Sequence, residues 1–549
     1  QPAGEQQPPT TQAPAEQPQK GGRIIEGSFA DIKTMQPMLV ADVPSSTVTG
    51  KMYESVIQAD PKTGEIKPNL AKWEASSDGL TYTWTMDDKA VWSDGKPVIG
   101  QDWITGLKAV GKSKKTVRKV NFSDIEGFKD YSDGKATDIS GVKADPANPK
   151  KWTVKFTRVF CPALIGAAGY VLPTQVFGKY VTETSKDEID TAHENVNPQV
   201  LNGPFKFKEW RQGDQVILTR NDTYWLGAPL VDEYVYKVVA DATVLAAQLK
   251  TGELNLGGIE PKDLADIERQ ENLKVFKYPS LGYTYIGWNL KSTTAPALAD
   301  KKVRQALAYG IDTDAYIKAV LFGEGTKQVS HHVPVQWASP GTAGLNLYAY
   351  DPAKAESLLK EAGYAKGADG IYAKDGKKIS FTIVTNAGNK KRESLVQIAS
   401  EQYKKIGVDA KPKLEAFATM VDKLTTGNQE IEAWIIGWSL GLEVDPAGIW
   451  DKAQIPDPAT KKTGFNFGGY ANDAVQKAID EGRTPTDKNC SQAARKKHYE
   501  VFNKQVNEDQ PYNFGVAETT LVVVQKNLVN FDPGSFSTTY NIEKWWFRK

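Results

Sequence analysis

The densest chemistry in the sequence lies at Gly437-Trp438-Ser439-Leu440-Gly441, followed by Leu442-Glu443-Val444-Asp445-Pro446. Two incompatible functions fit these letters. Read as G-x-S-x-G, they make Ser439 the nucleophile of a serine esterase, with Asp480 or Asp487 and then His498 completing a Ser…Asp…His order. Read as a strand that runs out into small residues around one indole, they make a ligand-binding wall. Peptide groups beyond Gly437 are then free to bond something other than a neighbouring strand. Trp438 adds a broad apolar face with one donor. The second reading is favoured. An elbow needs a helix directly after the serine, and the residue before Pro446 is pushed away from helix. His498 falls with Ala494, Val501 and Phe502 on what reads as the apolar stripe of its helix, where a histidine packs. No other set of acid, base and nucleophile stands out, so capture without catalysis is the expectation.

Other reactive side chains are sparse. The four histidines, His193, His331, His332 and His498, have no zinc-ligand spacing, and the adjacent pair reads as ordinary loop residues, so no metal and no cofactor are expected. Cys161 and Cys490 are too few for a disulfide framework, and no C-x-x-C occurs. A bridge in an oxidising compartment and two unrelated buried thiols both remain open. Asp445 reads equally as a charged ligand contact and as an ordinary Asp-Pro turn.

Composition narrows the class. With 68 basic and 67 acidic side chains the net charge is +1, which argues against a nucleic-acid surface. No apolar run reaches the length of a membrane span. A chain of 549 residues exceeds what one core usually holds, so two or more lobes are expected.

The elements that position these residues follow from local signals. Residues 1–22 are Pro, Gln, Ala, Thr and Gly with almost no apolar bulk, and read as a disordered tether. A tether ahead of a globular body, opening on Gln1 rather than Met, suggests an exported chain attached to a surface through a residue preceding it. Residues 23–28 and 215–220 read as strands, as do 81–86 and 152–156. A helix starts at Val43-Pro44, capped by Ser45 or Ser46. Asp241 caps a short helix ending near Gly252. After residue 285 helices and strands alternate: caps at Asp300, Asp351 and Ser394, strands at 379–384 and 431–436, and a last helix over 491–507. That spacing suggests crossovers and a largely parallel sheet. Residues 519–524 form a final strand.

The pattern as a whole resembles a known family. It is carried by Met52-Tyr53-Glu54-Ser55, the run from Pro68 to Trp73, Ser77-Asp78-Gly79-Leu80-Thr81-Tyr82-Thr83-Trp84 and Trp92-Ser93-Asp94-Gly95-Lys96-Pro97. Gly203-Pro204-Phe205, Asn221 with Tyr224-Trp225, Val303-Arg304-Gln305-Ala306-Leu307, Asp351-Pro352-Ala353-Lys354-Ala355, the 437–446 stretch and Asn466 to Tyr470 continue it. Together these resemble the family 5 (cluster C, peptide/nickel type) substrate-binding proteins of bacterial ABC transporters. The resemblance implies an α/β fold of the type II periplasmic-binding-protein kind: two lobes, a hinge, and an extra subdomain on the first lobe. The implied division is 23–45 with 195–285 and 508–549 as the first lobe, 46–194 as the extra subdomain, and 286–507 as the second lobe.

The ligand would lie between the lobes, an oligopeptide held by main-chain bonds from both and passed to a membrane permease. By position, the resemblance puts Asp42 and Val43 on one wall and Gly437, Trp438 and Ser439 on the other. Asn289, at the end of the strand starting at Tyr283, would line the cleft or lock its own loop, and the cleft is favoured. Phe467 and Tyr470 would cap the pocket or pack the lobe. Trp73, Trp84 and Trp92 read as core. Family members that grip a free α-amine place an Asp where this chain has Gly441, so recognition of a free N-terminus is in doubt. Oligosaccharides of the cello- or xylo-type are the alternative ligands, and nickel fits poorly because no histidine cluster suits it. A monomer working outside the cytoplasm, at the cell surface or in the periplasm, and held to the membrane only by a lipid, completes the expectation.

Overall fold

The computed structural model describes residues 17–549; most of the expected tether, residues 1–16, lies outside them. Two sheets share one strand. Tyr512–Gln525 runs for 14 residues, longer than the β run read from sequence. Its β-branched far half pairs antiparallel with Leu256–Gly258 and Leu273–Pro279. Its aromatic near half pairs antiparallel with Gly282–Trp288, with a register shift between Thr284 and Ile286. Gly515 sits opposite this shift at φ 63°. A Cβ there would stand 2.4 Å from the Thr284 carbonyl oxygen, so the bend requires glycine.

In the first lobe Arg23–Ser28 lies parallel to both Glu233–Val238 and Leu256–Gly258. Gln215–Arg220 and Phe205–Arg211 extend that sheet antiparallel. A separate antiparallel sheet holds Ala71–Ala75, Thr81–Met86, Lys151–Lys155 and Val142–Ala144. Trp84, Trp92, Trp103 and Trp152 fill the core behind it, which is continuous with that of the first lobe. Trp73 packs on Trp84 at 5.7 Å, and the Trp92 indole donates to Asp102 at 2.9 Å. These tryptophans are structural, as their place in the sequence suggests.

The second lobe is mixed rather than largely parallel. Ser380–Asn386 is parallel to Asp409–Glu415 and to Ala433–Ser439, with helices Lys390–Lys405 and Phe417–Thr426 as crossovers. Gly282–Trp288 and Tyr512–Gln525 then join antiparallel. One straddles the start of the alternating region and the other follows its last helix, so the helix spacing gave no sign of their direction. The sheet pairing changes partner between Pro279 and Gly282, a little before the lobe boundary suggested by sequence.

Asp241, Asp300 and Asp351 cap their helices as expected, and Ser491 caps Gln492–Asp509. Two caps differ. Asp42, not Ser45 or Ser46, caps Val43–Met52, accepting the Ser45 amide at 2.8 Å. Asn389, not Ser394, caps Lys390–Lys405. In both cases a short polar side chain further upstream reaches the orphan amides first. Cys161 and Cys490 form a disulfide across 329 residues, which leaves no free cysteine among the described residues.

Candidate functional site

A cleft of about 1190 Å³ separates the lobes. Its second-lobe wall is built on the end of Ala433–Ser439. The amide of Leu440 bonds the Leu281 carbonyl and that of Asn289 bonds the Glu432 carbonyl, each at 2.8 Å. These bonds set the phase of the ladder, so Trp438 turns its peptide groups toward Gly282–Trp288. Gly437 and Ser439 turn theirs to the opposite edge. On that edge Ser380–Asn386 pairs only as far as Thr385 with Ile435, and beyond it no strand among the described residues runs alongside. The backbone of Gly437 and Ser439 is therefore an open sheet edge lining the cleft. The approach of the paired strand depends on Gly282, where a Cβ would stand 2.1 Å from the Trp438 carbonyl oxygen.

Trp438 is half-buried in an aromatic pocket. It stacks on Phe467 at 5.1 Å and meets Phe465 edge-on at 5.3 Å. Arg118, from the facing wall, lies over Phe465 at 5.4 Å and donates to the Val40 carbonyl at 2.8 Å. The first-lobe wall carries residues 40–43, Phe160, Tyr170 and the C-terminal stretch 534–543. Asp42 and Val43 are among them, but the Asp42 carboxylate is spent on Ser45, accepting both its amide and its hydroxyl. Burial pushes that carboxyl above its usual value, opposed by the bonds from Ser45.

The charges beside the strand end are compensated in pairs. The Asp445 side chain is largely covered, and Arg483 Nε approaches its Oδ2 at 2.8 Å, off the line of the N–H, as a charge contact rather than an aligned hydrogen bond. Burial pushes the Asp445 carboxyl up to about 6 despite the pull of Arg483. Its Oδ1 accepts the Ala447 amide at 3.1 Å, so Asp445 also pins its own turn. Arg483 crosses the cleft, donating to the Val120 carbonyl at 2.9 Å and lying on Phe160 at 5.1 Å. Glu443 pairs with Arg495 at 2.5 Å. Gly441 faces open space, with no atom within 4 Å of a Cβ built on it.

Of the residues singled out from sequence, Asp42, Val43, Gly437, Trp438, Ser439, Gly441, Asp445 and Phe467 come together on the cleft. Asn289 and Tyr470 do not. Asn289 is buried and locks its own loop, donating to the Ile431 carbonyl at 3.0 Å and accepting the Lys291 amide at 3.0 Å. The Tyr470 hydroxyl donates to Asp509 at 2.6 Å inside the lobe. The esterase reading also fails on geometry. No helix follows Ser439 before Ala447–Trp450. His498 contacts Glu481 at 3.2 Å, Asp480 accepts from Gln476, and Asp487 accepts the Asn489 amide. His498 is also off the packed stripe, which is Arg495, Tyr499, Phe502 and Val506, with Val501 exposed.

Sequence reasoning missed Arg118, Arg483, Phe465, the 534–543 stretch and His331, which lines the cleft. Neither His331 nor His332 is an ordinary loop residue. His331 is buried, with the Trp450 indole donating to Nδ1 at 3.1 Å, and His332 Nε2 bonds the Val444 carbonyl at 2.7 Å. Phe465 had a visible signal, two residues before Phe467 in an alternating run; the others had none. Among the described residues no group of three or more His, Cys, Asp or Glu could hold a metal ion, and no helix is long and apolar enough to cross a membrane.

Comparison with known proteins fits this geometry. The oligopeptide-binding protein AppA of Bacillus subtilis (strain 168) is 30% identical over 539 residues, covering 97% of this chain and 93% of that protein. The solved structure of AppA in complex with a nonapeptide superposes with a TM-score of 0.86 at 28% identity, covering 97% of this chain and 100% of that one. Lactococcal OppA, complexed with an endogenous peptide in the closed conformation, shares the fold at TM-score 0.84 and 21% identity, covering 96% and 99% of the two chains. The profile described as bacterial extracellular solute-binding proteins, family 5 Middle, matches residues 65–453. With two lobes, an inter-lobe cleft and that match over most of its length, the chain belongs to the family 5 extracellular solute-binding proteins.

Proposed function

We propose that this protein captures oligopeptides in the inter-lobe cleft and delivers them to the membrane permease of an ABC importer. The observation that carries the reading is the open edge at Gly437 and Ser439, facing residues 40–43 across about 1190 Å³. An extended peptide adds to such an edge as a strand, taking affinity from its main chain and specificity from side-chain pockets. The cleft is larger than the ~300–1,000 Å³ of ordinary small-molecule sites. The pocket of Trp438, Phe465 and Phe467 would take one apolar side chain. The relative crystallised with a nonapeptide supports the same ligand class. Gly441 offers no carboxylate to a terminal amine, so backbone bonds rather than end groups would dominate recognition. Net binding of about 8 kcal/mol gives a Kd on the order of micromolar. The protein would act as a monomer outside the cytoplasm, held to the membrane through a lipid. Native mass spectrometry of protein purified without denaturation tests the reading. A ladder of peptide masses is expected, and co-purified masses spaced by hexose or pentose would overturn it.

A further inference from the structure

The lobes are joined covalently at the hinge by two crossings: the chain between Pro279 and Gly282, and the shared strand Tyr512–Gln525. The disulfide adds a third, away from the hinge. Cys161 lies between Phe160 and Ala163, which pack into the core of the first lobe and its subdomain. Cys490 lies between helices Asp473–Arg483 and Gln492–Asp509, whose Val475, Ile479, Phe502 and Val506 pack in the second lobe. Phe160, Pro162 and Arg483 all line the cleft, so the bridge spans its rim.

We propose that the Cys161–Cys490 disulfide is a clasp across the mouth of the cleft, which limits how far the lobes open and slows exchange of the ligand. The non-covalent contacts on this rim include Arg483, which donates to the Val120 carbonyl and lies on Phe160, and a few hydrogen bonds that opening would break. The Cys161 amide donates to the Arg483 carbonyl at 2.7 Å, Gln454 to the Val117 carbonyl at 3.0 Å and Thr463 to the Lys115 carbonyl at 2.8 Å. The bridge stays. Its two Cα atoms are 5.1 Å apart, which leaves little slack in the bridge itself. Slack comes from the loop carrying Cys490. The arm from Cys490 to Ser491, which caps the last helix, is a single residue. Ser491 is already extended at φ −60° and ψ 148°, so this arm gives little travel before the helix frays, and the slack is that of the rest of the loop between the two helices. The lobes would then part by a limited angle, and the rim contacts would re-form at high effective concentration. Reduction by a dithiol breaks the Sγ–Sγ bond, adds two electrons and two protons to give two thiols, and oxidises the dithiol to its own disulfide. The clasp is thereby released.

The inference rests on the two-lobe fold and the bridge, not on the class of ligand, and its test uses no ligand. Peptide mapping of the unreduced native protein should recover a Cys161–Cys490 cross-link; two free thiols would overturn the proposal. Small-angle scattering of ligand-stripped protein should give a larger radius of gyration for the Cys161→Ser/Cys490→Ser variant than for oxidised wild type. Wild type reduced with a phosphine should match the variant, and reoxidation should restore the smaller value. Identical curves for all three would overturn the clasp. If the variant does not fold, the reduced and reoxidised wild type decide. If the reduced wild type also loses its cooperative melt, the bridge is a folding staple and the proposal fails.

Discussion

Arg483→Met removes the cation beside Asp445 while keeping much of the side-chain volume. Both partners are largely buried, with side-chain exposures of 6% and 9%. Breaking a buried pair by removing one member costs about 3–5 kcal/mol, because the other charge is left uncompensated. The cost should depend on pH. With Arg483 present, burial already holds the Asp445 carboxyl near 6, against an ordinary 3.8. A carboxyl raised in the folded state contributes stability that is fully present below its unfolded pKa and lost as pH rises through its folded pKa. In wild type that loss is complete a little above pH 6. Removing Arg483 removes the main effect that lowers the Asp445 pKa, so the folded pKa climbs and the loss continues to higher pH. The penalty relative to wild type should grow by about 1.4 kcal/mol per pH unit above pH 6 until the new pKa is passed. A smaller, pH-independent part comes from the Val120 carbonyl and the Phe160 ring, which lose their contacts with the guanidinium. Urea unfolding of both proteins at intervals from pH 5.5 to 8 measures the difference. Asp445→Asn in the same background should abolish the pH-dependent part. A penalty equal at pH 5.5 and 8, or unchanged by the Asn substitution, would refute the reasoning.

Three further outcomes follow from the cleft. Trp438→Ala strips the platform stacked on Phe467 and should weaken peptide binding by more than about 2 kcal/mol, roughly thirtyfold, with the fold retained by circular dichroism; unchanged calorimetric affinity would remove it from the site. Ser439→Ala should leave binding within about twofold, since it is the Ser439 backbone that faces the open edge and not its hydroxyl; a large loss would show that the side chain contacts the ligand. Gly441→Asp has room for its side chain and should favour peptides with a free amine over their N-acetylated forms by the ~1.5–3 kcal/mol of a charge-assisted hydrogen bond. Equal affinities for the two would place the ligand terminus elsewhere.

What was legible in the sequence was local. The caps at Asp241, Asp300 and Asp351 are set by one side chain and amides up to three residues on. The open edge at Gly437 could be read only in part: the strand does not stop there but runs on to Ser439, paired on one side with Gly282–Trp288, and only its other edge is left without a partner strand. Asn289 and Tyr470 went the other way. Each is polar and ends a strand or follows an aromatic run, but the groups that claim them, the Ile431 carbonyl and Asp509, are brought in only by folding. The stripe of the last helix was misphased for a similar reason. Arg495 is buried through Glu443 and Trp337, which a hydrophobic count scores as solvent, and that shifts the apparent face toward Val501.

The shared strand shows the same limit at the scale of the fold. Asn513 and Gly515 are turn signals by composition, and they hid the near half of Tyr512–Gln525. Gly515 is instead the residue that lets one strand bend while pairing first with Gly282–Trp288 and then with Leu273–Pro279. The hinge therefore contains a continuous β-strand rather than a loop, and that has a mechanical consequence. A strand hydrogen-bonded in both lobes can twist but cannot lengthen. Opening must then be a rotation about that strand, with displacement growing toward the rim. On that far rim the molecule places Arg483, the Cys161–Cys490 bridge and the contacts of Gln454 and Thr463. Small restraints there act at the longest lever arm, so they govern the opening angle more strongly than an equal number of contacts near Gly282 would.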